Sequence, residues 1–157
     1  MPINSLCTLM QADKKTASRL LQLSTPENWQ SQQHNRPIPV LISKIAYEVW
    51  APYRLDRCLG LYREQKRVEP VSLVYLQVGK NRIYDVSDGN HRCGAKKTLG
   101  KRYISAKVAG GYQIDLRQFA LYDKKLWSVE NDYLALVLDL SEDDFEFYKA
   151  LGITLIR

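Results

Sequence analysis

The chain has 157 residues, a formal net charge of +6, and 45% apolar against 25% charged side chains. That is the size and balance of one globular domain with a real core, and no apolar run approaches the roughly 18 residues of a membrane span. Cys7, Cys58 and Cys93 stand far apart, which excludes a CxxC pair, a metal-ligand spacing and an even disulfide set.

The first fifteen residues, MPINSLCTLMQADKK, lack the charged-then-apolar layout of a secretion signal. With unpaired cysteines, a reducing cytoplasm is the expected compartment and no membrane partner is expected. The charge is unevenly placed. Residues 51–110 carry 13 basic and 5 acidic side chains, whereas residues 111–157 carry 5 basic and 9 acidic. A concentrated cationic region attracts polyanions such as nucleic acid or nucleotide phosphates. A solvated basic face docked on the acidic tail accounts for the same count.

Taken in chain order, DKKTASRLLQL at 13–23 predicts a short helix capped by Asp13, with Leu20, Leu21 and Leu23 at its apolar end. STPENWQSQQHNRP predicts a helix start at Pro26 and then a polar surface stretch. PIPVLIS at 37–43 predicts a short strand that begins beside its prolines. In residues 51–70, Leu55, Cys58, Leu59 and Tyr62 recur at helical spacing among Arg54, Arg57, Arg63 and Lys66, with Gly60 as a weak point. VSLVYLQV at 71–78 and RIYDVSD at 82–88 predict a β-hairpin around GKN. GNHRCGAKKTLG then predicts a helix of two to three turns, capped by Ser87 or Asp88 and closed by Gly100. RYISAKV at 102–108 predicts another strand. Beyond Gly110 and Gly111, YQIDLRQFALYDKKLW and NDYLALVLDL carry helix-like apolar spacing. SEDDFEFYKALG has the capping pair Ser141 and Asp144 and a stop at Gly152.

The junction YDVSDGNHR concentrates the chemistry. A helix start presents unpaired N–H groups and partial positive charge, which suits an anion. Gly89 allows a tight turn, Arg92 offers a two-pronged grip on phosphate oxygens, and Lys96 falls on the same helical face as Arg92. His91 can donate a hydrogen bond or move a proton near neutral pH. Asp88 can cap the helix, orient His91 or Arg92, or help hold a nucleotide-bound metal. A plain turn, with His91 on the surface and Arg92 paired to an acid, uses the same residues.

Residues 68–108 resemble the core of the ParB/sulfiredoxin-like superfamily. The resemblance lies in Glu69–Pro70 before one strand and in Asp88, Gly89, His91 and Arg92 after the next. Small residues Gly94 and Ala95 follow in the helix, and Leu99–Gly100 precedes a third strand. It implies an α+β domain, a small mixed sheet with short helices over residues 37–110, which binds phosphate groups at Gly89–Arg92. The rest of the chain adds helices at both termini within a single domain, 1–157, with an acidic, mainly helical extension over 111–157. Members of the superfamily include CTP-binding partition proteins, DNA nucleases, an ATP-using sulfinic-acid reductase and small-molecule kinases, so the kinship does not choose a reaction. The reductase places a cysteine directly before His-Arg; here that position is Asn90, and Cys93 follows the motif. Partition proteins usually carry Glu-Arg-Arg, a second Asn-rich motif and a helix-turn-helix, and none of these is found.

One expectation is therefore a domain that binds a nucleotide or DNA phosphates at Gly89, Asn90, His91, Arg92 and Lys96, with phosphodiester or nucleoside-triphosphate hydrolysis as its chemistry. His91 would be the acid or base and Arg92 the charge stabiliser. Asp88 would orient His91 or share Mg²⁺ brought in with ATP or CTP, and Glu69 is a second candidate base or metal ligand. DNA contact would come from Arg54, Arg57, Arg63, Lys66, Arg67, Lys97, Lys101 and Arg102. The alternative is a non-enzymatic accessory factor of a plasmid, phage or similar element, which binds DNA or a protein partner. Trp50, Tyr53, Tyr62, Trp127 and Tyr133 would offer it a surface, although aromatics at this density more often form core. A small-metabolite kinase is the third reading.

Overall fold

A computed structural model describes residues 8–32 and 36–157. Cys7 and residues 33–35 of the expected polar surface stretch lie outside the described residues. Helix α1, Lys14–Leu21, begins where expected: the Asp13 carboxylate accepts the Thr16 amide at 2.7 Å. A 3₁₀ turn at Pro26–Asn28 leads into β1, Trp29–Ser31. Strands β2, Ile38–Leu41, and β3, Ile45–Ala46, precede α2, Pro52–Arg63, which runs unbroken through Gly60. The hairpin of β4, Val71–Val78, and β5, Asn81–Asp88, then feeds α3, Asn90–Thr98, and the long β6, Tyr103–Ile114.

These strands form one mixed sheet in the order β1-β6-β4-β5-β3, with β2 also on the outer edge of β6. β4 pairs antiparallel with β5 and parallel with β6. The sheet's two faces serve two cores, because alternate residues of a strand point to opposite sides. Val71, Leu73, Val86, Ile104 and Ala106 pack with the buried Cys93 of α3. Leu76, Val78, Ile83 and Ile114 pack with Leu20 of α1 and with the C-terminal third of the chain.

That third departs from the expected helical extension. Strands β7, Phe119–Tyr122, β8, Lys125–Glu130, and β9, Tyr133–Asp139, form an antiparallel meander. Helix α4, Glu142–Leu151, and β10, Thr154–Leu155, follow, giving a second sheet in the order β10-β7-β8-β9. The correction comes from the turns. Asp123 and Lys124 take φ of 53° and 55°, and Asn131 and Asp132 take 45° and 69°. Two consecutive left-handed residues make the tight loop whose twist matches a hairpin. The Gly110–Gly111 pair also belongs inside β6 rather than between elements. A Cβ on Gly110 would strike the carbonyl oxygen of Gln30 in β1, and one on Gly111 would strike the Tyr75 ring.

Helix α4 alone keeps its expected form, with the Ser141 hydroxyl accepting the Asp144 amide at 3.2 Å and Gly152 closing it in the left-handed region. It clasps α1: the Tyr148 hydroxyl donates to the Arg19 carbonyl at 2.7 Å, and Arg19 Nε donates to Asp144 Oδ1 at 2.7 Å. The Arg19 guanidinium also lies 4.8 Å from the Phe147 ring centre. The result is a mixed α+β architecture without a closed barrel. Among the described residues no helix is long and apolar enough to cross a membrane.

Candidate functional site

The β5–α3 junction is built around Gly89, which is the N-cap of α3 with φ of 115°. Neither Ser87 nor Asp88 caps the helix as expected, and among the described residues no side-chain cap bond is made at this end. The first-turn N–H groups have no intrahelical acceptor, so the end keeps its positive character. Gly89 is required for packing as well as for conformation. A Cβ there would lie 2.5 Å from Val71 Cγ1 and 3.1 Å from Arg92 Nη2. The side of Gly89 on which a Cβ would stand is therefore filled by Val71 and Arg92, while the residue also lines the cleft described below.

Asn90, His91 and Gly94 fasten α3 to the segment before α2. Asn90 Oδ1 accepts the Glu48 amide at 3.0 Å, and His91 Nε2 accepts the Ala51 amide at 3.1 Å. A Cβ on Gly94 would fall 2.5 Å from Val49 Cγ2. The Ala51 bond fixes the neutral tautomer of His91, with the proton on Nδ1. Burial, with a smaller contribution from the Arg54 charge, holds the His91 pKa below its ordinary value. His91 is 7% exposed and its ring meets Trp50 edge to face at 5.0 Å. In this arrangement the ring is a hydrogen-bond acceptor through Nε2. Its one lone pair on nitrogen is already engaged, which leaves none for general-base work.

Arg92 spans the junction. Nη1 donates to the carbonyl oxygens of Glu69 at 2.6 Å and Pro70 at 3.1 Å, and Nη2 donates to Asp88 Oδ2 at 2.9 Å. Its side chain is 15% exposed, whereas that of Asp88 is 78% exposed. The guanidinium ties the start of β4 to the end of β5. Glu69 contributes its carbonyl to this network, and its exposed side chain is not part of the cleft lining.

Beside the junction lies a cleft of about 690 Å³. One wall is Asp88–Arg92; the other is Trp50 and the Tyr53, Arg54, Arg57 and Cys58 side of α2. Positions 54, 57 and 58 share a helical face. The Arg54 guanidinium sits 4.6 Å from the Trp50 ring centre and 6.0 Å from that of Tyr53. Asp88 is the single acid of this lining. Among the described residues no group of three His, Cys, Asp or Glu side chains is placed to hold a metal.

The sequence-predicted residues thus divide. Asp88, Gly89, Asn90, His91, Arg92, Arg54 and Arg57 meet at the cleft. Lys96 does not: it lies in the last turn of α3, with Nζ 4.5 Å from the Tyr62 ring centre. Arg63 lies nine residues beyond Arg54, on the opposite side of α2 at about 100° per residue. Lys66 pairs with Glu64 at 3.1 Å. Arg67, Lys97, Lys101 and Arg102 are exposed elsewhere on the surface. Trp50 and Tyr53, expected only as an interaction surface of the alternative reading, join the cleft, as does Ser87. For Trp50 and Tyr53 the available signal was WAPYR, which sets two aromatics and an arginine at a helix start. Comparison with known protein families and with curated proteins finds no match to the chain.

Proposed function

We propose that this chain is a ParB/sulfiredoxin-like phosphate-binding domain that holds a nucleotide or nucleic-acid backbone in the cleft between α2 and α3. The observation that carries the reading is the uncapped N-terminus of α3 facing Arg54 and Arg57 across that cleft. Positive helix-end charge and two exposed guanidinium groups suit phosphate oxygens. The Arg92 network serves as the frame of this site, holding its two strands together.

Binding is favoured over hydrolysis by the state of His91. Its Nε2 is occupied by Ala51 and its pKa is depressed, so it is neither a free base nor a ready acid. A Mg²⁺ ion carried by ATP or CTP fits only in part: Asp88 is the one carboxylate available in the cleft, and phosphates and water would complete the shell. The accessory-factor reading is therefore preferred to a nuclease or nucleotide hydrolase.

The test is titration with ATP, CTP and DNA at rising salt, with Arg54→Ala and Arg57→Ala in parallel, followed by an assay for turnover of the same ligands with and without Mg²⁺. Salt-sensitive binding that weakens in both variants, without turnover, is expected. Turnover abolished by His91→Ala would instead establish the hydrolase. Binding indifferent to salt and to both arginines would remove the reading.

A further inference from the structure

Trp50 is unusual in being both exposed and held. Its side chain leaves the residue 56% exposed, and Tyr53 is 68% exposed. Yet the backbone on either side of Trp50 is pinned to α3, by Glu48 N–H to Asn90 and by Ala51 N–H to His91. The ring meets His91 edge to face, and the Arg54 guanidinium lies 4.6 Å from its centre. An aromatic residue restrained on both sides yet left in water is a preorganised contact, since little ordering remains to be done on binding.

We infer that the α2 wall of the cleft is a base-stacking platform and that the ligand is single-stranded polynucleotide, with bases on Trp50 and Tyr53 and backbone phosphates at Arg54 and Arg57. This rests on the phosphate-binding reading above. Rings and guanidinium groups together are the means by which single strands are held without base-pair readout. Two rings three residues apart, paired with two arginines three residues apart, offer more than one base and one phosphate require. The 13 basic against 5 acidic side chains of residues 51–110 likewise exceed the need of a free nucleotide. A duplex hides its base faces in the stack, so the platform has no use for one.

The experiment titrates the full chain, by tryptophan fluorescence, with a thymidine dodecamer, its uridine RNA counterpart, an abasic dodecamer of equal charge, thymidine monophosphate and a polyglutamate of equal charge. The expected order puts a base-bearing dodecamer first, with the DNA and RNA arms identifying which sugar is preferred. Trp50→Ala and Tyr53→Ala each weaken dodecamer binding by about 5- to 150-fold and weaken abasic binding by a smaller factor. Trp50→Phe keeps much of the affinity, which separates stacking from a folding defect. Equal affinity for the base-bearing and abasic strands overturns the stacking inference and leaves phosphate binding intact. A monophosphate as tight as the dodecamer, or polyglutamate as tight, overturns the polynucleotide assignment. Failure to bind any phosphate ligand removes both readings.

Discussion

The backbone N–H of Ala51 donates to Nε2 of His91 across 40 residues of sequence, at 3.1 Å. That bond requires a neutral imidazole, because a protonated one has no lone pair to offer. Burial lowers the folded-state pKa below the unfolded value of 6.5. The unfolded chain therefore binds the proton first as the solution is acidified. The contribution to stability is fully present above 6.5 and is lost as the pH falls through that value towards the depressed folded one. Urea midpoints should fall as the pH is lowered from about 7 to 5. His91→Gln, which can accept the same bond without titrating, should flatten that slope. An unchanged slope in the variant would show that other groups govern it.

The Asp88–Arg92 pair has unequal members, one largely exposed and one largely covered. Arg92→Ala removes three hydrogen bonds and leaves the Glu69 and Pro70 carbonyls unserved, and should destabilise the fold by about 2–4 kcal/mol. Arg92→Lys cannot span the same three acceptors and should recover little. Asp88→Asn should cost under about 1 kcal/mol. By removing the one negative charge of the cleft it should also tighten phosphate binding, read by calorimetry. A weaker affinity in Asp88→Asn would mean that the carboxylate itself holds the ligand.

Gly89→Ala meets two obstacles at once, a backbone at φ 115° and Val71 Cγ1 at 2.5 Å. Thermal denaturation should show a loss of about 2 kcal/mol or more. Val71→Ala should relieve the steric part alone, so the double variant should be more stable than the sum of the two single losses predicts. Simple additivity would indicate that the conformational strain accounts for the whole effect.

Salt dependence separates the cations that line the cleft from those elsewhere. Arg57→Ala should lower the slope of log affinity against log salt by about 1. Arg63→Ala, on the far side of α2, should leave it unchanged. Equal effects would spread the ligand around the helix.

Much of the N-terminal two-thirds of the fold, β1 and β3 excepted, was readable because its residues state their conformations locally. Asp13 caps α1, β-branched residues fill β4, and Gly79 and Gly100 end their elements with positive φ. The meander was not readable, because Asp123–Lys124 and Asn131–Asp132 are turns without glycine and the apolar residues of YLALVL suit either period. The motif located the junction but not its internal bonding. That Arg92 would face inward, and that Ala51 would engage His91, depends on where α2 returns in space, for which no local signal exists. Tyr133 is 77% exposed and Trp127 and Tyr62 are partly covered, so the aromatics serve neither core nor surface as a group.

The clasp between α1 and α4 joins residues 125 and 129 positions apart. During synthesis α1 leaves the ribosome well before Asp144 and Tyr148, whereas Leu76, Val78 and Ile83, which also pack with Leu20, follow sooner. Truncation before Asp144 should therefore leave α1 seated on the sheet but unclasped on its other side, and the product more prone to precipitate.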